Sequence, residues 1–149
     1  MATPSAADDA QLSLVRELMT NIPFNRELGL SVVDLGAGRA VLRVPFRDGL
    51  VGDPVRPALH GGVISSLADA CGGAAVWTLL GPEDRCSTVD LRIDYLRPGS
   101  LEPLEADARV QRLGGRVGVA AIRLYHPDRQ DETVAEGKGV YAVKRAEDR

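Results

Sequence analysis

The chain has 149 residues and a mass of 15.9 kDa, the size of one domain with a substantial buried core. Eighteen basic residues against 21 acidic ones give a net charge of −3 and a pI near 5.4, which excludes a general nucleic-acid binder with a basic footprint. Two cysteines (Cys71, Cys86) and two histidines (His60, His126) form neither a disulfide framework nor a metal-ligand spacing, so no metal or cofactor is expected.

The opening MATPSAADDAQLS lacks a basic n-region and an apolar h-region, and the expectation is a soluble cytoplasmic protein. Residues 8–20 begin with acids and carry Leu12, Val15, Leu18 and Met19 at helical spacing, which predicts a short amphipathic helix on the outside. Leu30–Leu35 and Arg39–Phe46 flank Gly36-Ala37-Gly38 and read as a hairpin. Asp48–Pro57 reads as a Gly/Pro loop feeding an apolar segment.

That segment, 57–82, holds Asp69 as its single formal charge. A central Asp costs ~2.5–3.5 kcal/mol in a membrane, and Gly61, Gly62, Gly72 and Gly73 suit a span poorly. The segment therefore predicts a buried helix from about Gly61 to Leu80. The interior pair Gly72-Gly73 predicts close packing against its backbone, by a sheet or by the same helix of a second subunit.

From Arg85 the apolar period becomes two. Val89, Leu91, Ile93 and Tyr95 alternate with charges up to Arg97-Pro98-Gly99, and Leu104, Ala106, Ala108 and Val110 repeat the pattern. Gly114-Gly115 and Pro127–Asp131 turn the chain into strands near 116–126 and 132–144. All four read as long antiparallel strands joined by hairpins. One apolar helix needs cover on every side, and one curved antiparallel sheet around it is the simplest cover. The predicted fold class is α+β, a hotdog fold spanning 24–146 after an N-terminal helical segment, 1–23.

Two features could carry chemistry. Asp69 is an apolar-helix carboxylate that must be paired, hydrogen-bonded or kept neutral. His60-Gly61-Gly62 stands at the helix start, where unpaired N–H groups and a partial positive charge could hold a polarised carbonyl. Nine residues separate His60 from Asp69, about 13.5 Å along a helix and on opposite faces. If both serve one reaction, they come from two chains. Neither G-x-S-x-G, G-x-G-x-x-G nor a P-loop occurs, so α/β-hydrolase and nucleotide-binding readings have no support.

The runs LHGGVISSLADACGGAA, STVDLRIDYLRPG and RLGGRVGVAAIRLY resemble the phenylacetate-pathway (PaaI-type) hotdog acyl-CoA thioesterases over about residues 24–145. The resemblance implies that Asp69 acts as nucleophile or general base and that the Gly61 N–H polarises the thioester carbonyl. It further implies that His60 supports that end of the site and that Thr88 lies near the acid. It also implies that acid and helix start come from different subunits, in a homodimer and further in a dimer of dimers. Six residues before the His, where the family often has Asn or Gln, this chain has Pro54 preceded by Asp53. Asp53, Pro54 and Gly62 are thus expected at the substrate, with Arg97, Arg112 and Arg116 as candidates for the CoA phosphates. Trp77 and Cys71 are expected in the core.

The expected reaction is hydrolysis of an aromatic or medium-chain acyl-CoA, with no nucleic-acid or membrane partner. The rivals are a non-catalytic acyl-CoA-binding module and a hotdog hydratase or dehydratase.

Overall fold

A computed structural model describes residues 9–148. The N-terminal helix α1, Asp9–Asn21, turns its apolar stripe inward and buries Val15 and Met19, while Gln11 Nε2–H donates to the Trp77 carbonyl. Asp8, the first residue of that predicted helix, lies outside the described residues, as do residues 1–7 of the expected N-terminal segment. Helix α2, Pro23–Leu28, begins on a proline whose fixed φ suits a first helical turn. Strands β1, Ser31–Gly36, and β2, Arg39–Val44, form the expected hairpin, and Gly38 takes a φ of +72° that a side chain would resist.

The expected loop 48–57 is more ordered than its composition suggests. Strands β3, Val51–Asp53, and β4, Ala58–Leu59, pair into a small separate sheet. They bring the chain to α3, Gly61–Trp77, which ends three residues before the expected Leu80. Strands β5, Arg85–Tyr95, β6, Leu104–Leu113, β7, Val117–Tyr125, and β8, Thr133–Lys144, complete the fold.

The main sheet is antiparallel, with strand order β1-β2-β6-β7-β8-β5. This is the α+β hotdog arrangement the element order predicts. The hairpins β6–β7 and β7–β8 form at the expected turns, but β5 and β6 are not a hairpin. Residues 96–103 cross the end of the sheet and deliver β6 beside β2, leaving β5 on the far edge. Buried His126 holds this crossover, accepting the Ser100 N–H on Nε2 (3.0 Å) and donating from Nδ1 to the Pro103 carbonyl (2.8 Å). The Arg129–Glu102 ion pair reinforces it.

The core lies between α3 and the sheet. Leu67, Ala68, Cys71, Ala74 and Ala75 are completely buried against Leu42, Ala106, Ala108 and Leu124. Small residues on both surfaces let helix and sheet approach closely, and the Cys71 thiol donates to the Ala40 and Ala106 carbonyls at 3.3 Å. No helix among the described residues is long and apolar enough to cross a membrane.

Candidate active site

Asp69 projects from the middle of α3 beside β5, and the Thr88 hydroxyl donates to its Oδ1 at 2.7 Å. The sequence suggests a fully buried carboxylate, but Asp69 is half-buried in the single chain because β5 is an edge strand. Thr88 owes its placement to a bulge, for the β5–β8 register shifts between Thr88 and Asp90. The extra residue, Val89, leaves the predicted inward alternation and is 64% exposed. Bulges of this kind re-aim side chains beside functional sites.

Asp69 and Thr88 share a cavity of about 290 Å³ with Met19, Ile22, Phe24 and Trp77. Trp77 is therefore only partly in the core and also forms cavity wall, a correction to the expected role. Helices α1 and α2 supply the remaining apolar wall, which local periodicity does not disclose because the cavity forms between elements distant in sequence. Cys86 also faces this space. Burial first, and the Asp69 carboxylate second, push its thiol up to about 11, so it stays protonated near neutrality.

The start of α3 assigns its amides unequally. His60 Nδ1 accepts the Gly62 N–H at 2.8 Å, so His60 acts as the helix N-cap. That bond occupies the Gly62 amide, which leaves Gly61 as the helix-start donor. The Gly61 N–H has no acceptor among the described residues. The Tyr95 hydroxyl donates to the Gly61 carbonyl at 3.2 Å, and its ring packs where a Cβ on Gly61 would point. Tyr95 is a site neighbour that the sequence shows only as a strand residue.

The His60 N–H donates to the Leu50 carbonyl at 2.9 Å, which ties the 48–59 segment to the helix start. Within that segment Asp53 Oδ1 accepts the Val55 and Arg56 amides at 2.9 and 3.0 Å. Asp53 thus shapes the turn that carries the exposed Pro54.

The three candidate arginines do not converge. Arg97 lies at the crossover end of the sheet and pairs with Glu132 at 3.6 Å. Arg112 and Arg116 flank a groove of about 370 Å³ at the β6–β7 turn, at the opposite end. No group of three or more His, Cys, Asp or Glu side chains able to hold a metal occurs among the described residues.

Gly61 and Asp69 stand eight residues apart on one helix, about 12 Å of axial rise. One chain therefore presents an unpaired helix-start amide and a hydrogen-bonded carboxylate that are too far apart to meet on one small group.

Comparison with known proteins agrees with this architecture. The thioesterase superfamily model matches residues 57–133, from the approach to α3 to the start of β8. The protein YigI of Escherichia coli (strain K12), named a medium/long-chain acyl-CoA thioesterase, is 34% identical over 131 residues, 78% of this chain and 84% of its own length. A thioesterase family protein of Silicibacter pomeroyi superposes with a TM-score of 0.84 at 24% identity, covering 91% of this chain and 99% of its own. The E. coli PaaI protein from the phenylacetic acid degradation operon gives 0.80 at 24% identity, covering 91% and 94%. With a matched core running through the helix start, Asp69 and Thr88, the chain belongs to the thioesterase superfamily.

Proposed function

We propose that this protein is an acyl-CoA thioesterase whose working unit is a homodimer with two composite sites. The observation that carries the reading is the Thr88–Asp69 hydrogen bond at 2.7 Å on the wall of a cavity that Met19, Ile22, Phe24 and Trp77 also line. The similarity to YigI supports the acyl-CoA substrate class. In each site the thioester carbonyl accepts the Gly61 N–H of one protomer, while Asp69 of its partner attacks directly or activates water.

In the water route, Asp69 takes the proton as the water oxygen bonds to the carbonyl carbon. The oxyanion gathers on the helix-start amide, where the partial positive charge stabilises it. The C–S bond then breaks, the thiolate leaves, and Asp69 returns the proton to the sulfur. In the direct route an Asp69 anhydride forms with loss of the thiolate, and water then hydrolyses it.

Several features of the chain favour the dimer. Strand β5 has 11 residues and an unpaired outer edge, and Val89, Tyr95 and Leu96 near it are 53–64% exposed. Unpaired edges of this length favour pairing with another strand. The acyl cavity lies at the lower limit of small-molecule pockets, ~300–1,000 Å³, and supports an aromatic or medium-chain acyl group. Arg112 and Arg116 are the better candidates for CoA phosphates, since Arg97 already has a carboxylate partner.

The test is free-thiol release from benzoyl-, phenylacetyl- and C4–C12 acyl-CoA by wild type and Asp69→Ala. Wild type releases thiol, and Asp69→Ala falls by about a thousandfold, the scale of a lost electrostatic contribution of ~4 kcal/mol. Binding of the esters without thiol release would instead support the non-catalytic module. A change in enoyl absorbance without thiol would support the hydratase.

A further inference from the structure

Tyr141, on β8, is only 1% exposed, and its hydroxyl donates to the main-chain carbonyl of Asp69 at 3.0 Å. Two glycines make the approach possible. A Cβ on Gly72 would lie 2.1 Å from the hydroxyl oxygen, and one on Gly139 would lie 2.5 Å from it. The close packing predicted by Gly72-Gly73 is therefore met by the sheet, through the Tyr141 phenol and Ile122 Cδ1.

Tyr141 is also the register partner of Thr88 across β5 and β8. The same rung of the sheet thus grips residue 69 twice, Thr88 on the carboxylate and Tyr141 on the backbone. Gly72-Gly73 weakens this part of α3, each glycine costing ~0.8–1 kcal/mol against alanine, so helix propensity alone does not hold the turn that bears Asp69. Burial first, and the nearby Asp69 carboxylate second, push the phenol well above its usual range. It therefore remains a donor near neutrality.

We infer that Tyr141 is a positioning residue for the reaction, fixing the α3 backbone at Asp69 so that the carboxylate stays on Thr88. The role rests on the proposed chemistry of Asp69. It is separable from general packing, because Tyr141→Phe keeps the ring between Gly72 and Gly139 and removes only the hydroxyl.

The experiment measures kcat, KM and the unfolding midpoint for wild type, Tyr141→Phe, Thr88→Val, the double variant and Asp69→Ala. Tyr141→Phe is expected to lower kcat about tenfold with KM changed less than twofold. The double variant is expected to lose less than the product of the single losses, because both hydroxyls act through one carboxylate. Gly72→Ala, which displaces the hydroxyl from the other side, should lower kcat similarly and provides the same test if Tyr141→Phe does not fold. Wild-type kcat in a folded Tyr141→Phe, or strictly multiplicative losses, would overturn the positioning role and leave Asp69 untouched. Wild-type turnover in Asp69→Ala would overturn the catalytic reading, and Tyr141's role with it.

Discussion

His60 caps its own helix: Nδ1 accepts the Gly62 N–H at 2.8 Å, and the amide between them, Gly61, stays free. A ring nitrogen here does the work usually done by a short polar side chain. The consequence is selection of one donor from a helix start that offers several.

His60→Ala is accordingly expected to lower stability by about 1 kcal/mol, the cost of a lost N-cap. His60→Asn, which can cap in the same way, should recover most of that loss. Urea unfolding of the three proteins checks the ordering. Thiol-release kinetics on the same samples should show a larger kcat loss in His60→Ala than in His60→Asn.

Thr88→Val removes the donor to Asp69 and preserves the β-branched shape that suits a strand. Hydrogen bonds to charged groups are worth ~1.5–3 kcal/mol, and the lower figure corresponds to about a tenfold change in rate. The expectation is about a tenfold fall in kcat, with Thr88→Ser close to wild type. Steady-state kinetics on one acyl-CoA suffices.

Gly72→Ala drives a methyl group to within 2.1 Å of the Tyr141 hydroxyl and 3.0 Å of Ile122 Cδ1. Overpacking of this kind costs ~1–3 kcal/mol and outweighs the better helix propensity of alanine. Adding Tyr141→Phe removes the shortest contact, so the double variant should be more stable than Gly72→Ala alone. Thermal unfolding of the set decides it.

Stability should fall on the alkaline side. The Cys86 thiol rises from its ordinary 9.0 to about 11 through burial and the Asp69 carboxylate, and burial also raises Tyr141 and Cys71. Above pH 9 the unfolded chain releases these protons while the folded chain keeps them, so the folded state binds more protons and stability declines as pH rises. Below pH 9 their contribution is fully present. Denaturant midpoints between pH 8 and 11 should drop for wild type and drop less for Cys86→Ser.

The strand alternation, the isolated apolar helix and the spacing of His60, Asp69 and Thr88 are all local or nearly local patterns. They were enough to predict the hotdog layers, while the candidate roles of His60, Asp69 and Thr88 came from resemblance to a family. Helix and strand periods reflect which face each segment must bury, and that requirement is written residue by residue. The same reasoning extends to Gly36-Ala37-Gly38 and Gly114-Gly115, where backbone chemistry sets the turn.

Tertiary structure alone decided the rest. Whether β6 follows β5 in a hairpin or crosses to β2 depends on the contacts of His126 with Ser100 and Pro103, and on pairing of distant strands. The bulge that exposes Val89 and aims Thr88 is a property of the β5–β8 register. Phe24 and Trp77 share a cavity, and Arg97 stands apart from Arg112 and Arg116, because α2, α3 and the sheet ends take positions that no single segment encodes. Tyr141 reaches the backbone of a residue 72 positions away, through the space that Gly72 and Gly139 leave open. A chain announces its periods and turns locally, but hydrogen bonds and steric fit between segments exist only once the segments have met.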